Sequence, residues 1–85
     1  MNIHISNLSL NVTESILRKL FSAYGEVNSA AIIKDKLSGR SRGTGFVEMP
    51  IDAEGEHAIE MLHRKLVDGK NISVNKEKSY LQPGW

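Results

Sequence analysis

The stretch RGTGFVEM, residues 42–49, decides the fold of this 85-residue chain. Side chains alternate between the two faces of a β-strand, so Gly45, Val47 and Met49 share one face. If that face packs into a core, then Phe46, the single aromatic residue of the stretch, lies on the opposite face and meets water. The sequence therefore predicts a strand that exposes an aromatic ring to solvent.

The composition is that of one small globular domain. With 85 residues there is room for one core, and 40% hydrophobic and 25% charged residues are close to the average of folded proteins. The absence of cysteine excludes disulfides, thiolate nucleophiles and cysteine metal sites. Because the sequence shows no export signal and no 18-residue apolar span, we expect an intracellular protein, cytoplasmic if its source is bacterial.

The charge is small overall but unevenly distributed. A formal net charge of +1 provides no strong overall field, so an anionic partner must be held by locally placed cations. Lys34, Lys36, Arg40 and Arg42 cluster around one glycine, and Asp35 is the one acid among them. This basic segment is the candidate surface for an anionic ligand.

The first half of the chain predicts a strand followed by a helix. Residues 2–6 alternate apolar and polar side chains, which is typical of a half-buried strand. The period then changes to that of a helix of about three turns, with Thr13 or Asn11 as its N-cap and Gly25 as its C-terminal stop. Its apolar stripe consists of Leu17, Leu20, Phe21 and Tyr24.

The second half predicts two further strands around a second helix. Residues 27–34 form a β-rich segment that a polar, glycine-containing loop joins to the quoted strand. Asp52 can cap a second helix, and Asp68-Gly69 forms a turn before a last strand that alternates around Ile72 and Val74. The apolar face of the second helix consists of Ala58, Ile59, Leu62 and Leu66.

The element order strand, helix, strand, strand, helix, strand predicts an α+β fold of the ferredoxin-like type. Two split βαβ units with right-handed crossovers place both helices on one face of a four-stranded antiparallel sheet, in a βαββαβ sandwich. Residues 1–78 form this domain, and residues 79–85 form a short C-terminal tail. The second face of the sheet is left open.

The open face of the predicted sheet is suited to unpaired bases. A flat sheet with planar rings on adjacent central strands is a stacking platform, because every base offers a π face. The alternative is that the tail or a loop covers Phe46. The side chains predicted on this face are His4, Ser6, Thr44, Phe46, Glu48, Ser73 and Asn75.

Two segments of the chain resemble the signature motifs of the RNA-recognition motif family. Residues 42–49 resemble its RNP octamer and residues 3–8 its RNP hexamer. The resemblance covers about residues 2–76. A chain of this length resembles the small single-domain bacterial members of the family, and an excised domain of a longer protein would look the same. Further matches are Leu20-Phe21, Tyr24-Gly25, Val27, Ala58-Ile59, Asp68-Gly69 and Val74-Asn75.

The resemblance implies a role for each platform side chain. Phe46 and His4 stand at positions that stack on bases, whereas Thr44 stands where the family usually has a third aromatic residue. One missing ring implies roughly ten- to hundredfold weaker binding. Because imidazoles ordinarily titrate near neutral pH, we also expect binding to depend weakly on pH through His4.

The resemblance and the basic loop together give the remaining nucleic-acid-binding residues. Arg42 is expected to meet a phosphate or an acidic side chain, and Lys36 and Arg40 to contact phosphates beside it. Asn75 and Lys76 resemble positions at the end of the last strand that read base edges. No cofactor, metal ligand set or catalytic residue is expected.

The leading hypothesis is a non-catalytic, monomeric module that binds single-stranded RNA, with single-stranded DNA left open because discrimination rests on 2′-OH contacts. The alternative is a protein-interaction module on the same fold, which Thr44, the low net charge and exposed Ile16 favour. An enzyme is not expected, because the sequence has no glycine-rich phosphate loop, Ser-His-acid set or metal-ligand cluster. A membrane partner is not expected either.

Overall fold

A computed structural model describes residues 1–77 of the chain. The predicted tail, residues 79–85, lies outside the described residues. Eight elements follow one another in the described part, and α1 and α2 alternate with the strands as the sequence pattern predicts. They are β1 (Asn2–Ser6), α1 (Glu14–Ser22), β2 (Ser29–Lys34), β3 (Ser41–Glu48), α2 (Asp52–Leu62), β4 (Leu66–Val67), β5 (Lys70–Asn71) and β6 (Ser73–Lys76).

The main sheet has four antiparallel strands in the order β2-β3-β1-β6. Helix α1 packs against β2 and β3, and helix α2 packs against β6. Leu17 and Phe21 of α1 and Leu62 of α2 share one core with Ile3 and Ile5 of β1, so both helices cover the same face of the sheet. The ferredoxin-like α+β fold predicted from the sequence is confirmed.

The alternation predicted for the quoted stretch is also confirmed. Gly45, Val47 and Met49 are buried, whereas Phe46 is half-buried and Glu48 is exposed. The core therefore takes the odd positions of β3, and the even positions lie on the open face. The candidate site therefore lies on the open face of the sheet.

Two glycines explain how β3 fits into the sheet. A Cβ on Gly45 would lie 2.7 Å from the carbonyl oxygen of Ala31 and 3.1 Å from Leu17, so β3 approaches both β2 and α1 too closely for any side chain. Gly43 has φ +77° in the segment where the pairing of β2 with β3 shifts register. Its carbonyl accepts a 2.9 Å hydrogen bond from the N–H of Leu8, which ties the bulge to the end of β1.

Helix α1 is shorter than the sequence predicts. Thr13 is the N-cap, and its hydroxyl accepts a hydrogen bond from the N–H of Ile16. The helix ends at Ser22, so Gly25 is not its terminator. Gly25 instead packs against the side chain of Glu54, where a Cβ would overlap. This glycine is required by a close approach to α2.

Helix α2 differs from the prediction at both ends. Asp52 is its first residue and not its cap; Ile51 occupies the cap position, without a side-chain hydrogen bond. The carboxylate of Asp52 lies 3.6 Å from the N-terminal ammonium of Met1. At the other end Arg64 has φ +67°, which turns the chain away, so Leu66 is not on the helix and is 66% exposed.

A small hairpin follows α2. Leu66 of β4 pairs with Asn71 of β5, and the predicted turn at Asp68-Gly69 joins the two strands. Both turn residues have positive φ, 50° and 83°, which is the conformation that Asp-Gly favours in a two-residue hairpin loop.

Strand β2 begins at Ser29, two residues later than predicted.

Candidate nucleic-acid interface

Strand register brings four side chains into one row across the open face. His4 of β1 lies opposite Phe46 of β3 on one side and opposite Asn75 of β6 on the other. Phe46 in turn lies opposite Ala31 of the edge strand β2. With neighbouring strands about 4.8 Å apart, this platform row (Asn75, His4, Phe46 and Ala31) spans about 14 Å.

The two rings of the platform row contact each other. The centroids of the His4 and Phe46 rings are 5.1 Å apart, and the ring planes are inclined by 49°. This distance lies in the range of favourable aromatic pairs. Both side chains are half-buried on the face opposite the core residues Ile3 and Ile5. Two planar groups are thus held side by side on the central strands.

The neighbours of the rings are small or polar. Thr44 lies on the same face, opposite Ile33 of β2, and is half-buried. Ser73 accepts a 3.1 Å hydrogen bond from the carboxamide nitrogen of Asn75. In this arrangement the carboxamide nitrogen of the exposed Asn75 faces Ser73.

Arg42 stands four residues before Phe46, beyond the register shift and the positive φ of Gly43 that interrupt the alternation of β3. Arg42 is exposed. The one ion pair among residues 1–77 joins Met1 to Asp52, so within this part of the chain Arg42 has no acidic partner.

The basic loop between β2 and β3 is held by its single acid. The carboxylate of Asp35 accepts hydrogen bonds from the N–H groups of Leu37, at 2.8 Å, and Ser38, at 3.0 Å. These bonds, that of Ser38 first, lower the pKa of Asp35 below its ordinary value of 3.8. The N–H of Asp35 also donates to the carbonyl of Arg40 at 2.8 Å. Asp35 therefore orders the loop and leaves the side chain of Lys36 exposed.

Two predicted site residues lie away from the platform row. Arg40 lines a cavity of about 580 Å³ between the loop and the start of α1. Lys76 lies opposite Ile3, whose side chain is buried under the helices, so the Cβ of Lys76 leaves the strand on the helix side. The structure does not bring either residue onto the face that carries Phe46.

Sequence reasoning missed the contribution of β2 to the face. Ala31 and Ile33 lie opposite Phe46 and Thr44, so their side chains are on the open face. Residues 30–33 are all apolar, and a continuous apolar run does not show which positions face outward. The register of the hairpin formed by β2 and β3 would have shown that Ala31 and Ile33 face outward.

Two further features were searched for in the described part of the chain: metal-ligand clusters and membrane-spanning helices. No group of three or more histidine, aspartate or glutamate side chains within residues 1–77 could hold a metal ion. Neither helix of this part has the length and apolar character needed to cross a membrane.

The chain matches one family along most of its length. Residues 3–73 match the RNA recognition motif, and the chain therefore belongs to that family. The fold agrees, since the solved structure of RNA Binding Protein PG1 has a TM-score of 0.89 and 42% sequence identity, over 91% of this chain and 93% of that one. The family and the relatives point to a non-enzymatic RNA-binding protein.

Relatives of known sequence come from bacteria, fungi and plants. RbpB from Nostoc sp. is 45% identical over 92% of this chain and 76% of its own length. Glycine-rich RNA-binding protein 1 from Mycosarcoma maydis is 40% identical over 91% of this chain, which spans 44% of the fungal protein. The Sxl-lethal protein, solved as a protein/RNA complex, has a TM-score of 0.82 and 33% identity, over 87% of this chain and 46% of that one.

Proposed function

We propose that the open sheet face binds single-stranded RNA, with Phe46 and His4 each stacking on a base. The observation that carries this proposal is the contact between the two rings, 5.1 Å apart on neighbouring central strands and opposite the core. An aromatic ring on a half-exposed strand position adds nothing to the core. It gives a base a π face to stack on.

The length of the platform row sets the number of nucleotides. About 14 Å of sheet accommodates about two to four unpaired nucleotides, of which the two rings stack two. Asn75, at one end of the row, can read a base edge with its carboxamide oxygen. Arg42 and Lys36 neutralise phosphates at the other end of the face.

Two comparisons support RNA as the partner. The chain belongs to the RNA recognition motif family, and a protein of the same fold at 33% identity has been solved in complex with RNA. The fungal relative is named as an RNA-binding protein. These proteins share the fold that presents the platform row.

The proposal is tested by titrating the isotope-labelled chain with short RNA and following amide shifts by NMR. Saturable shifts are expected at His4, Phe46 and Asn75. Phe46→Ala should weaken binding about 5- to 150-fold, since stacking contributes about 1–3 kcal/mol per base. Met61→Ala is the matched control, because Met61 is a 50% exposed apolar side chain on the helix side. Equal effects of the two substitutions, or shifts confined to the helices, would contradict the proposal.

The same titration with a deoxyribonucleotide of identical sequence tests the choice between RNA and DNA. The 2′-OH is the group that distinguishes them, and stacking on Phe46 alone is indifferent to it. We propose RNA as the preferred ligand, so the deoxy form should bind more weakly. Equal affinity would assign the face to single strands of both kinds.

A second candidate function, protein interaction, has one observation in its favour. Ile16 and Leu20 of α1, Tyr24 after its end and Leu62 of α2 line an apolar groove of about 300 Å³. Two lysines, Lys19 and Lys65, also line it. Charge complementarity makes an acidic, apolar segment of another protein the occupant that fits. The double substitution Lys19→Glu and Lys65→Glu should abolish such binding and leave RNA binding unchanged. Loss of RNA binding in that variant would argue against two separate surfaces.

A further inference from the structure

A cavity of about 580 Å³ lies beside the platform, between the basic loop and the start of α1. Its volume is within the range of small-ligand sites. Its lining combines the apolar side chains of Leu10, Val12 and Ile32 with the cations Lys34 and Arg40. An apolar floor beneath two cations matches the chemistry of a nucleotide, which has a flat base and an anionic phosphate.

Leu10 is held in place although it is exposed. Its side chain is 64% accessible. Both of its chain neighbours, Ser9 and Asn11, donate side-chain hydrogen bonds to the carboxylate of Asp68 on the β4–β5 turn. Hydrogen bonds on both sides of Leu10 thus tie its segment to the β4–β5 hairpin. The Leu10 side chain is held at the surface without a packing partner in the core.

The cations of the cavity are available to an external anion. Lys34 and Arg40 have no ion pair within residues 1–77, where the one pair is that of Met1 and Asp52. The acid that lines the cavity, Glu14, is turned to the backbone, where its carboxylate accepts a 3.3 Å hydrogen bond from the N–H of Ile32.

The cavity wall at Lys34 lies three residues along β2 from Ala31, which ends the platform row. Thr44 lies opposite Ile33 on the open face, and the next pair along the hairpin, Lys34 and Ser41, lines the cavity. The register shift between Ile33 and Lys34 separates the two pairs, and a bulge of this kind bends the strand. A strand of RNA that crosses the face toward β2 therefore meets the cavity at the sheet edge.

We propose that the RNA chain continues over the edge of β2, so that a nucleotide beyond the platform enters this cavity. Its base packs on Leu10, and its phosphate lies between Lys34 and Arg40. This assignment rests on the proposed function and adds one nucleotide to the binding site. It also gives Arg40 a role in RNA binding away from the sheet face.

The test is a length series. The probes are a tetranucleotide selected for binding to the chain and the same RNA extended by uridines at either end, with dissociation constants measured by fluorescence anisotropy. Extension at one end should tighten binding severalfold, because the added nucleotide buries apolar surface on Leu10 and brings a phosphate to Lys34 and Arg40. Leu10→Asp and Ser15→Glu, both at exposed positions of the cavity wall, should each remove this gain and leave the affinity for the tetranucleotide unchanged.

The matched control is Leu66→Asp, because Leu66 is 66% exposed and lies outside the cavity. It should keep the full gain from extension. A gain that is absent, or that survives Leu10→Asp, would overturn the cavity assignment while Phe46-dependent binding of the tetranucleotide still supports the platform. Failure of the proposed function gives a different result: tetranucleotide binding would then be unaffected by Phe46→Ala. That result would contradict both proposals.

Discussion

Replacing Thr44 with phenylalanine should strengthen RNA binding. Thr44 lies on the same strand and the same face as Phe46, two residues away, and stands where the family usually has an aromatic residue. It lies opposite Ile33, is half-buried, and its hydroxyl makes no hydrogen bond within residues 1–77. Thr44→Phe therefore adds a third ring beside the contacting pair without breaking an existing bond.

The magnitude follows from the stacking energy. A ring in this position gains about 1–3 kcal/mol if one further base stacks on it, which is about 5- to 150-fold in the dissociation constant. The effect on folding should be small, since phenylalanine is favoured at half-buried strand positions. The gain requires that the RNA crosses the sheet between Phe46 and the Ile33 end of β2.

Fluorescence anisotropy with one RNA of about five nucleotides is the assay, at fixed salt concentration because phosphate contacts depend on salt. Thr44→Val is the matched control, since it removes the hydroxyl and adds no ring. It should bind as the parent chain does. If Thr44→Phe binds no more tightly than Thr44→Val while Phe46→Ala weakens binding, the RNA does not pass over this position, and the predicted path across the face is wrong.

Three further predictions concern charge, packing and pH. Arg42→Ala should reduce the slope of log affinity against log salt by about 0.7, the value for one phosphate contact on a single strand, and an unchanged slope would exclude that contact. Gly45→Ala should lower the free energy of unfolding by about 1–3 kcal/mol, because the added Cβ would meet a backbone oxygen at 2.7 Å. Each kcal/mol lowers the melting temperature by about 4–8 °C. An unchanged melting temperature would contradict the packing of β3. The pKa of Asp35 is lowered by the N–H groups of Ser38 and Leu37, so the contribution of its carboxylate to stability is complete above pH 3.8 and is lost as the pH falls through the lower, folded pKa. The amide shifts of these two residues should therefore titrate below pH 3.8, and a midpoint above that value would be inconsistent with the bonded loop.

The central part of the site could be predicted because it follows from strand periodicity. Alternation assigned Phe46 and His4 to the open face, and the strand order of the fold made β1 and β3 neighbours. His4 and Phe46 lie opposite each other in only one register of β1 and β3. The burial of their neighbours Ile3 and Val47 on the other face determines that register. Sequence reasoning succeeds where one face of an element is buried.

Arg40 and Lys76 were predicted as site residues without a periodicity that places them, and the structure puts neither in the platform row. Arg40 follows a loop whose path depends on hydrogen bonds to Asp35, and a bulge then shifts the register before the sheet resumes. Lys76 was assigned by its position at the end of a strand, although its register with Ile3 places it on the helix side. Gly25 was interpreted as a helix stop, whereas contact with α2 requires it; a tertiary contact of this kind leaves no local pattern.

The octamer at residues 42–49 separates packing from exposure. Its odd-numbered residues are buried, and the lack of a side chain at Gly45 lets β3 pack closely against β2 and α1. Of its even-numbered residues, Thr44 and Phe46 lie half-buried on the open face, and Arg42 and Glu48 are exposed. Substitutions at the buried residues should therefore change stability, and under the proposed function Phe46→Ala should change affinity. This separation lets Phe46 be varied without disturbing the core that holds it in place.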